Sequence, residues 1–206
     1  MDNILPQIIE ELKSPPNCIA PDVDGYTSAK VRMLLHRLLD HLPADETYLE
    51  IGCWQGATLV SALLDHPDAR AVACDNWSEF KHVDAKRVFF ENLAKYDSRL
   101  PKIKVFEQDC FTLGPRELPG SIGVYFYDGN HSFESQRRAI TQFVPFLAKK
   151  SIVIIDDWNH GPAKDGSQKG WEEVKPSKLE FYELPANFNG DAENYWNGIG
   201  AFYIEK

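Results

Sequence analysis

No run of 18 apolar residues occurs anywhere in the sequence, and the start, Met1 to Glu11, has neither a basic end nor a sustained apolar stretch. A membrane span and a secretory leader are not expected, and a soluble cytoplasmic protein is. Basic residues are in deficit. Lys and Arg total 22 against 31 Asp and Glu, a net charge of −9 that repels the phosphates of DNA or RNA and disfavours nucleic-acid partners. The four cysteines, Cys18, Cys53, Cys74 and Cys110, form no C-x-x-C pair, which argues against zinc and disulfide roles. Small packing residues in a reducing compartment are the plainer reading. The sequence also lacks internal repeats, low-complexity tracts and a dividing linker. At 206 residues, 43% of them hydrophobic, it has the material for one sizeable core, so one domain over 1–206 is expected, with 1–26 as a helical extension.

What the chain does have is alternation. After a short N-terminal helix and the Ser14-Pro15-Pro16 break, Val31, Leu34, Leu35, Leu38, Leu39 and Leu42 repeat at helical spacing and mark an amphipathic covering helix. Strands over Thr47 to Ile51, Arg70 to Asp75 and Lys102 to Glu107 alternate with helices over Ala57 to Leu64 and Asp84 to Tyr96. Strand Gly123 to Tyr127, helix Phe133 to Leu147 and strand Ser151 to Ile155 continue the series, the two strands apolar throughout as central strands should be. Such alternation implies parallel strands with right-handed crossovers. Then the pattern changes. A polar loop, Trp158 to Lys169, precedes a short helix near Trp171 to Val174 and two β-rich runs, Leu179 to Leu184 and Ile199 to Ile204, read as an antiparallel pair.

The first strand ends in Tyr48-Leu49-Glu50-Ile51-Gly52-Cys53-Trp54-Gln55-Gly56-Ala57-Thr58, a glycine loop that opens a helix. A dinucleotide pyrophosphate needs G-x-G-x-x-G for close approach of backbone amides, and here Trp54 fills the middle position. No Lys-Ser/Thr pair follows, which argues against a Walker loop too. The remaining E-x-G-x-x-x-G resembles motif I of class I S-adenosylmethionine-dependent methyltransferases. The resemblance runs from about Thr27 to the end. It implies an α/β, Rossmann-like fold: a seven-stranded, mostly parallel sheet of order 3-2-1-4-5-7-6, last strand antiparallel, with helices on both faces. In such a sheet the ligand lies beyond the carboxyl ends of the strands. The first end supplies Glu50, Gly52, Cys53, Trp54 and Gly56, and the second supplies Asp75 and Asn76. Asp75 has the two acceptor oxygens that a pair of ribose hydroxyls needs. The resemblance places Asp109 against the adenine amino group, with Cys110 beside the ring. Turn glycines and a cap or loop aspartate are the plainer alternatives; three successive strand ends with the required residue types favour cofactor binding.

Asp128-Gly129-Asn130-His131 closes the fourth strand and Asp156-Asp157-Trp158-Asn159 the fifth. Neighbouring strands lie about 4.8 Å apart, so three carboxylates converge, and they require a proton, a basic partner or a cation. All-oxygen ligands favour Mg²⁺. The segment Val124 to Asn159 resembles metal-dependent O-methyltransferases acting on macrolide sugars and, more distantly, the catechol and caffeoyl-CoA enzymes. That resemblance implies Asp128, Asp156 and Asp157 as metal ligands, and His131 as general base beside Asp128. A helix cap for His131, structural roles for Asp156 and Asp157, and His160 as the base are the alternatives.

The expected activity is methyl transfer from S-adenosylmethionine to a small-molecule hydroxyl, of a sugar or a phenol. The rivals are a hydroxylase-like relative on the same fold and a non-catalytic S-adenosylmethionine-binding protein. Tyr26, Trp54, Trp77, Phe80, Trp158, Trp171, Tyr195 and Trp196 offer aromatic surface for the acceptor, and Asn159 to Lys169, with Gly161, Gly166 and the adjoining Gly170, reads as a closing loop. The resemblance also implies that the Asp24 to Ser28 turn, just before the covering helix, meets the methionine end of the cofactor. A homodimer stays open: extensions like this one pack across a partner in some relatives, but nothing in its composition requires it.

Overall fold

The computed structural model describes residues 1–79, 82–118 and 120–206. Phe80 therefore lies outside the described residues. Seven strands form a single sheet: β1 (Thr47–Ile51), β2 (Arg70–Cys74), β3 (Ile103–Phe106), β4 (Ile122–Tyr127), β5 (Leu147–Ile155), β6 (Lys178–Leu184) and β7 (Ile199–Glu205). Their order is β3-β2-β1-β4-β5-β7-β6, with β7 antiparallel to both neighbours, as the resemblance implied.

Among the described residues six α-helices flank it: α1 (Leu5–Glu11), α2 (Ala29–Leu39), α3 (Ala57–Leu63), α4 (Ala85–Tyr96), α5 (Phe133–Thr141) and α6 (Gly161–Val174). The sheet separates two apolar layers. Leu34, Leu35 and Leu38 of α2 pack with Leu59, Leu63 and Phe89 on one face; Ala139, Ile140, Trp171 and Phe202 pack on the other. The cap residues fit their helices: Ser28 accepts from Val31 N, Asp84 from Arg87 N and Ser132 from Ser135 N.

Two expectations need correction. The helix from Phe133 stops at Thr141, because Pro145 lies in a following 3₁₀ turn, and Leu147 already pairs with Ile122 as the first residue of β5. The segment read as a glycine-rich closing loop is most of α6, a 14-residue helix. Its small residues serve close packing on α5: a Cβ on Gly166 would fall 2.3 Å from the Phe133 carbonyl oxygen, and one on Gly170 would fall 2.6 Å from Ile140 Cβ. Ser167 donates to Gln136 Oε1 at 3.1 Å in the same seam.

The parallel strands end flush. Ile51 is level with Cys74 and Tyr127, Cys74 with Phe106, and Tyr127 with Ile155. Gly52, Asp75, Asp128 and Asp156 thus follow the strand ends along one edge, each held by a backbone bond to the neighbouring strand.

Candidate active site

A cavity of about 770 Å³ opens over this edge. The glycine loop forms its floor. Gly52 (φ +84°) and Gly56 (φ +86°) both have left-handed backbone, which favours glycine. Beneath the loop, Glu50 is fully buried and accepts hydrogen bonds from Tyr48 Oη and Thr58 Oγ1. Burial pushes its carboxyl up to about 7. Glu50 does not line the cavity, so its contribution is to brace the loop from below.

Asp75 fastens the loop from the side. Its Oδ2 accepts from Trp54 N at 2.8 Å and its Oδ1 from Trp77 N at 2.7 Å, while Trp77 Nε1 donates to Trp54 O. Both tryptophans have positive φ, a conformation that costs of order 1–3 kcal/mol per residue and persists where surrounding bonds determine it. Asn76 lines the cavity beside them, its Oδ1 accepting from Ser78 N. Tyr26, from the turn before α2, stacks on Trp54 with ring centroids 4.6 Å apart. At the far side Asp109 accepts from Phe111 N and starts a 3₁₀ turn carrying Cys110, whose thiol burial pushes up to about 12. Cys53, Cys74 and Cys110 all line the cavity and are free thiols; Cys18 is exposed elsewhere.

The acidic end of the cavity holds Asp128, Asp156, Asp157 and His131. Ligand atoms of Asp128, His131 and Asp157 lie within 4.8 Å of one another, and His131 Nε2 meets Asp157 Oδ2 at 2.8 Å. Asp156 is not in that mutual group; its carboxyl faces Asp128, and its Oδ1 is buried without a partner among the described residues. Burial, then the Asp156 and Asp157 charges, push Asp128 well above the usual carboxylate range. Burial and Asp157 push Asp156 up to about 7. Burial would raise Asp157 as well, but the His131 hydrogen bond and charge outweigh it and hold it low. Burial disfavours a charged His131, yet the bond and charge of Asp157 raise its pKa above the ordinary value. The three carboxyls therefore do not all ionise unaided, the conflict expected from the sequence.

Ser132, not His131, caps α5, and His160 is exposed and does not line the cavity. A donor set of carboxylates with an orphaned buried Oδ1 fits a hard divalent cation, with His131 closer to the ring of ligands than the sequence indicated.

Apart from Trp196, sequence reasoning missed the wall supplied by the β6–β7 connection. Asn197 Nδ2 donates to Asp157 Oδ1, which helps hold Asp157 at φ +55°. Asp191 organises the connection by accepting from Asn187 N and Nδ2, Glu193 N, and Asn194 N and Nδ2. Asn189, Gly190 and Trp196 thereby reach the cavity. An Asn- and Gly-rich stretch signals a turn, but not which distant strand end it meets. Arg138, also lining the cavity, lies over the Phe111 ring at 4.0 Å. Of the other aromatics, Trp158, Trp171 and Tyr195 are core residues that do not line the cavity.

Comparison with known structures gives the same fold at low identity. PaMTH1, a methyltransferase from Podospora anserina bound to S-adenosylhomocysteine, matches with a TM-score of 0.63 at 14% identity, over 100% of this chain and 89% of that one. The O-methyltransferase TomG from Streptomyces achromogenes, in complex with S-adenosylmethionine, gives 0.61 at 17%, over 100% and 91%. CalS11, the TDP-rhamnose 3′-O-methyltransferase of calicheamicin biosynthesis, gives 0.58 at 15%, over 84% and 76%. No curated protein sequence matches. Residues 49–158, more than half of the chain, match the sequence profile of a methyltransferase domain family. That segment runs from β1 to the residue after the Asp156-Asp157 turn and spans both ends of the cavity, and by it the chain belongs to the methyltransferase domain family, on the class I S-adenosylmethionine-dependent fold.

Proposed function

We propose that the protein transfers the methyl group of S-adenosylmethionine to a hydroxyl oxygen of a small molecule, with a divalent cation assisting. One observation carries this reading: a single cavity joins the Gly52–Gly56 loop, Asp75 and Asp109 to the Asp128, His131, Asp156 and Asp157 cluster. The backbone of the loop and the acceptor oxygens of Asp75 suit the methionine and ribose portions of the cofactor, and Asp109 and Cys110 suit the adenine. The structural likeness to PaMTH1 and TomG, one bound to S-adenosylhomocysteine and the other to S-adenosylmethionine, supports that half.

Asp128, Asp156 and Asp157 would hold the cation, Mg²⁺ by its oxygen donors, which when bound lowers the pKa of the acceptor hydroxyl. The attacking oxygen forms its bond to the methyl carbon as the carbon–sulfur bond breaks, and the hydroxyl proton must leave. His131 takes it. Asp157 holds the His131 ring through Nε2 at the wall of the cavity, where the hydroxyl proton is released. Alignment contributes much of the rate, because the sulfonium is already activated.

A sugar hydroxyl is the first assignment for the acceptor, supported by the likeness to CalS11, and a catechol-like phenol the second. No helix among the described residues is long and apolar enough to cross a membrane, and four free thiols fit the reducing cytoplasm.

The test is calorimetric titration of S-adenosylhomocysteine into chelator-stripped protein, with and without added Mg²⁺, followed by turnover of sugar and phenol acceptors. Micromolar binding, about −8 kcal/mol, and cation-stimulated transfer are expected. Absence of heat in both conditions would remove the methyltransferase reading. Binding without transfer to any acceptor would favour a cofactor-binding protein.

A further inference from the structure

The geometry points to a second metal site, for a borderline cation such as Zn²⁺, formed by His36, Asp40 and His66 outside the cavity. His36 lies in the last turn of α2 and Asp40 is the residue that ends the helix, one turn apart on the same face. His66 follows α3, placed by a backbone bond from its N–H to the Leu63 carbonyl. Each of the three offers a ligand atom, all within 4.8 Å of one another.

Three details argue for a ligand rather than a plain ion pair. His66 Nε2 and Asp40 Oδ1 are already 3.0 Å apart, close to the separation of about 3.3 Å between donors on a tetrahedral zinc with bonds near 2.0 Å. His36 Nδ1 meets the Ser61 carbonyl at 3.1 Å, the outer contact that fixes the tautomer of a ligating imidazole and leaves Nε2 with its lone pair. The two imidazoles sit edge to face with centroids 4.7 Å apart. A lone His66–Asp40 ion pair gives no reason for a second imidazole at that distance.

The donor set selects the metal class. Two imidazoles and one carboxylate suit Zn²⁺ with water in the fourth position, and exclude Mg²⁺, which prefers oxygen donors. Arg37 pairs with the other oxygen of Asp40, so the carboxylate stays ionised when Oδ1 turns to a metal. Bound there, the ion ties the end of α2 to the turn after α3 and acts as a clip for the folded state.

The experiment titrates ZnCl₂ calorimetrically into the intact protein in excess Mg²⁺, which occupies oxygen-rich sites, and compares His66→Gln and Asp40→Asn. Thermal unfolding is recorded with and without Zn²⁺. The wild type should bind one equivalent more than either variant, and its Tm should rise with Zn²⁺ by more than theirs. Asp40→Asn keeps side-chain volume and surface position, so it decides the matter even if His66→Gln folds poorly. Equal stoichiometry and equal thermal response in the wild type and both variants, or no Zn²⁺ binding by the wild type, would show an ordinary ion pair and overturn the site.

Discussion

The carbonyl oxygen of Asp128 lies 1.8 Å from where a Cβ on Gly52 would be, so the loop after β1 and the loop after β4 touch backbone to backbone. Gly52→Ala must therefore move one of two main chains and also adopt a left-handed backbone. The backbone term alone is of order 1–3 kcal/mol. Urea unfolding should show a loss of at least about 2 kcal/mol, since the clash adds to that strain. A loss within about 0.5 kcal/mol, as for ordinary surface changes, would mean that the two loops are not in contact.

Asp75→Asn tests the clamp on the tryptophans. One of the two backbone donors, Trp54 N or Trp77 N, would then face an amide NH₂ instead of a carboxylate oxygen. Hydrogen bonds to charged groups contribute about 1.5–3 kcal/mol, so binding of S-adenosylhomocysteine should weaken by ten- to a hundredfold. Calorimetry reads this directly, and unchanged affinity would remove Asp75 from the cofactor site.

His131→Gln separates binding from chemistry. Turnover should fall by 10² to 10⁴, the usual contribution of a general base, with S-adenosylhomocysteine affinity unchanged. Near-normal turnover would transfer the proton-accepting role elsewhere.

Glu50 gives a pH signature in stability. Its carboxyl ordinarily titrates at 4.5 and is raised to about 7 by burial. A raised carboxyl contributes stability that is complete below pH 4.5 and is lost as pH rises to about 7, a span worth at most about 3 kcal/mol. Glu50→Gln keeps the shape and removes the titration. In urea unfolding from pH 4.5 to 7 the variant should gain on the wild type as pH rises; parallel curves would mean that Glu50 ionises freely beneath the loop.

The seam between α5 and α6 is tested by two glycines. Alanine at Gly170 gains about 1 kcal/mol in helix propensity, but its Cβ would lie 2.6 Å from Ile140 Cβ and 2.9 Å from the Arg137 carbonyl oxygen. Overpacking of this kind costs about 1–3 kcal/mol, so the net change should be a loss. Gly161→Ala, at the first helical position and directly before Pro162, meets no tertiary neighbour within 4 Å among the described residues, and its change should stay within about 0.5 kcal/mol. Chemical denaturation separates the pair, with the loss confined to Gly170→Ala, if α6 packs as described.

These glycines also mark where the sequence was legible. Apolar periodicity located β1, β4 and α2 because burial is what writes it, and strand ends could be read for polar residues because parallel strands finish together. Gly161, Gly166 and Gly170 read as loop because local propensity is blind to a helix facing them; only α5 supplies the reason for small side chains. The acidic cluster was legible as a convergence of Asp128, Asp156 and Asp157, whereas its pairing was not. Whether Asp157 turns to His131 or to Asp156 depends on Asn197, 40 residues away in the chain and brought in by β7. Glu50 was placed at the correct turn, but nothing local shows that Tyr48 and Thr58 donate to it.

The connection wired around Asp191 has a consequence for how this cavity changes over evolutionary time. Asn189 and Gly190 stand on a frame that draws its order from Asp191, Asn187 and Asn194, while Trp196 of the same connection stacks with Tyr26 and through it on Trp54 of the glycine loop. Substitutions at its tip can reshape one wall while the floor beneath Gly52 and Gly56 keeps its form. If the protein methylates as proposed, change at Asn189 and Gly190 is a route to new acceptors that leaves the glycine loop in place.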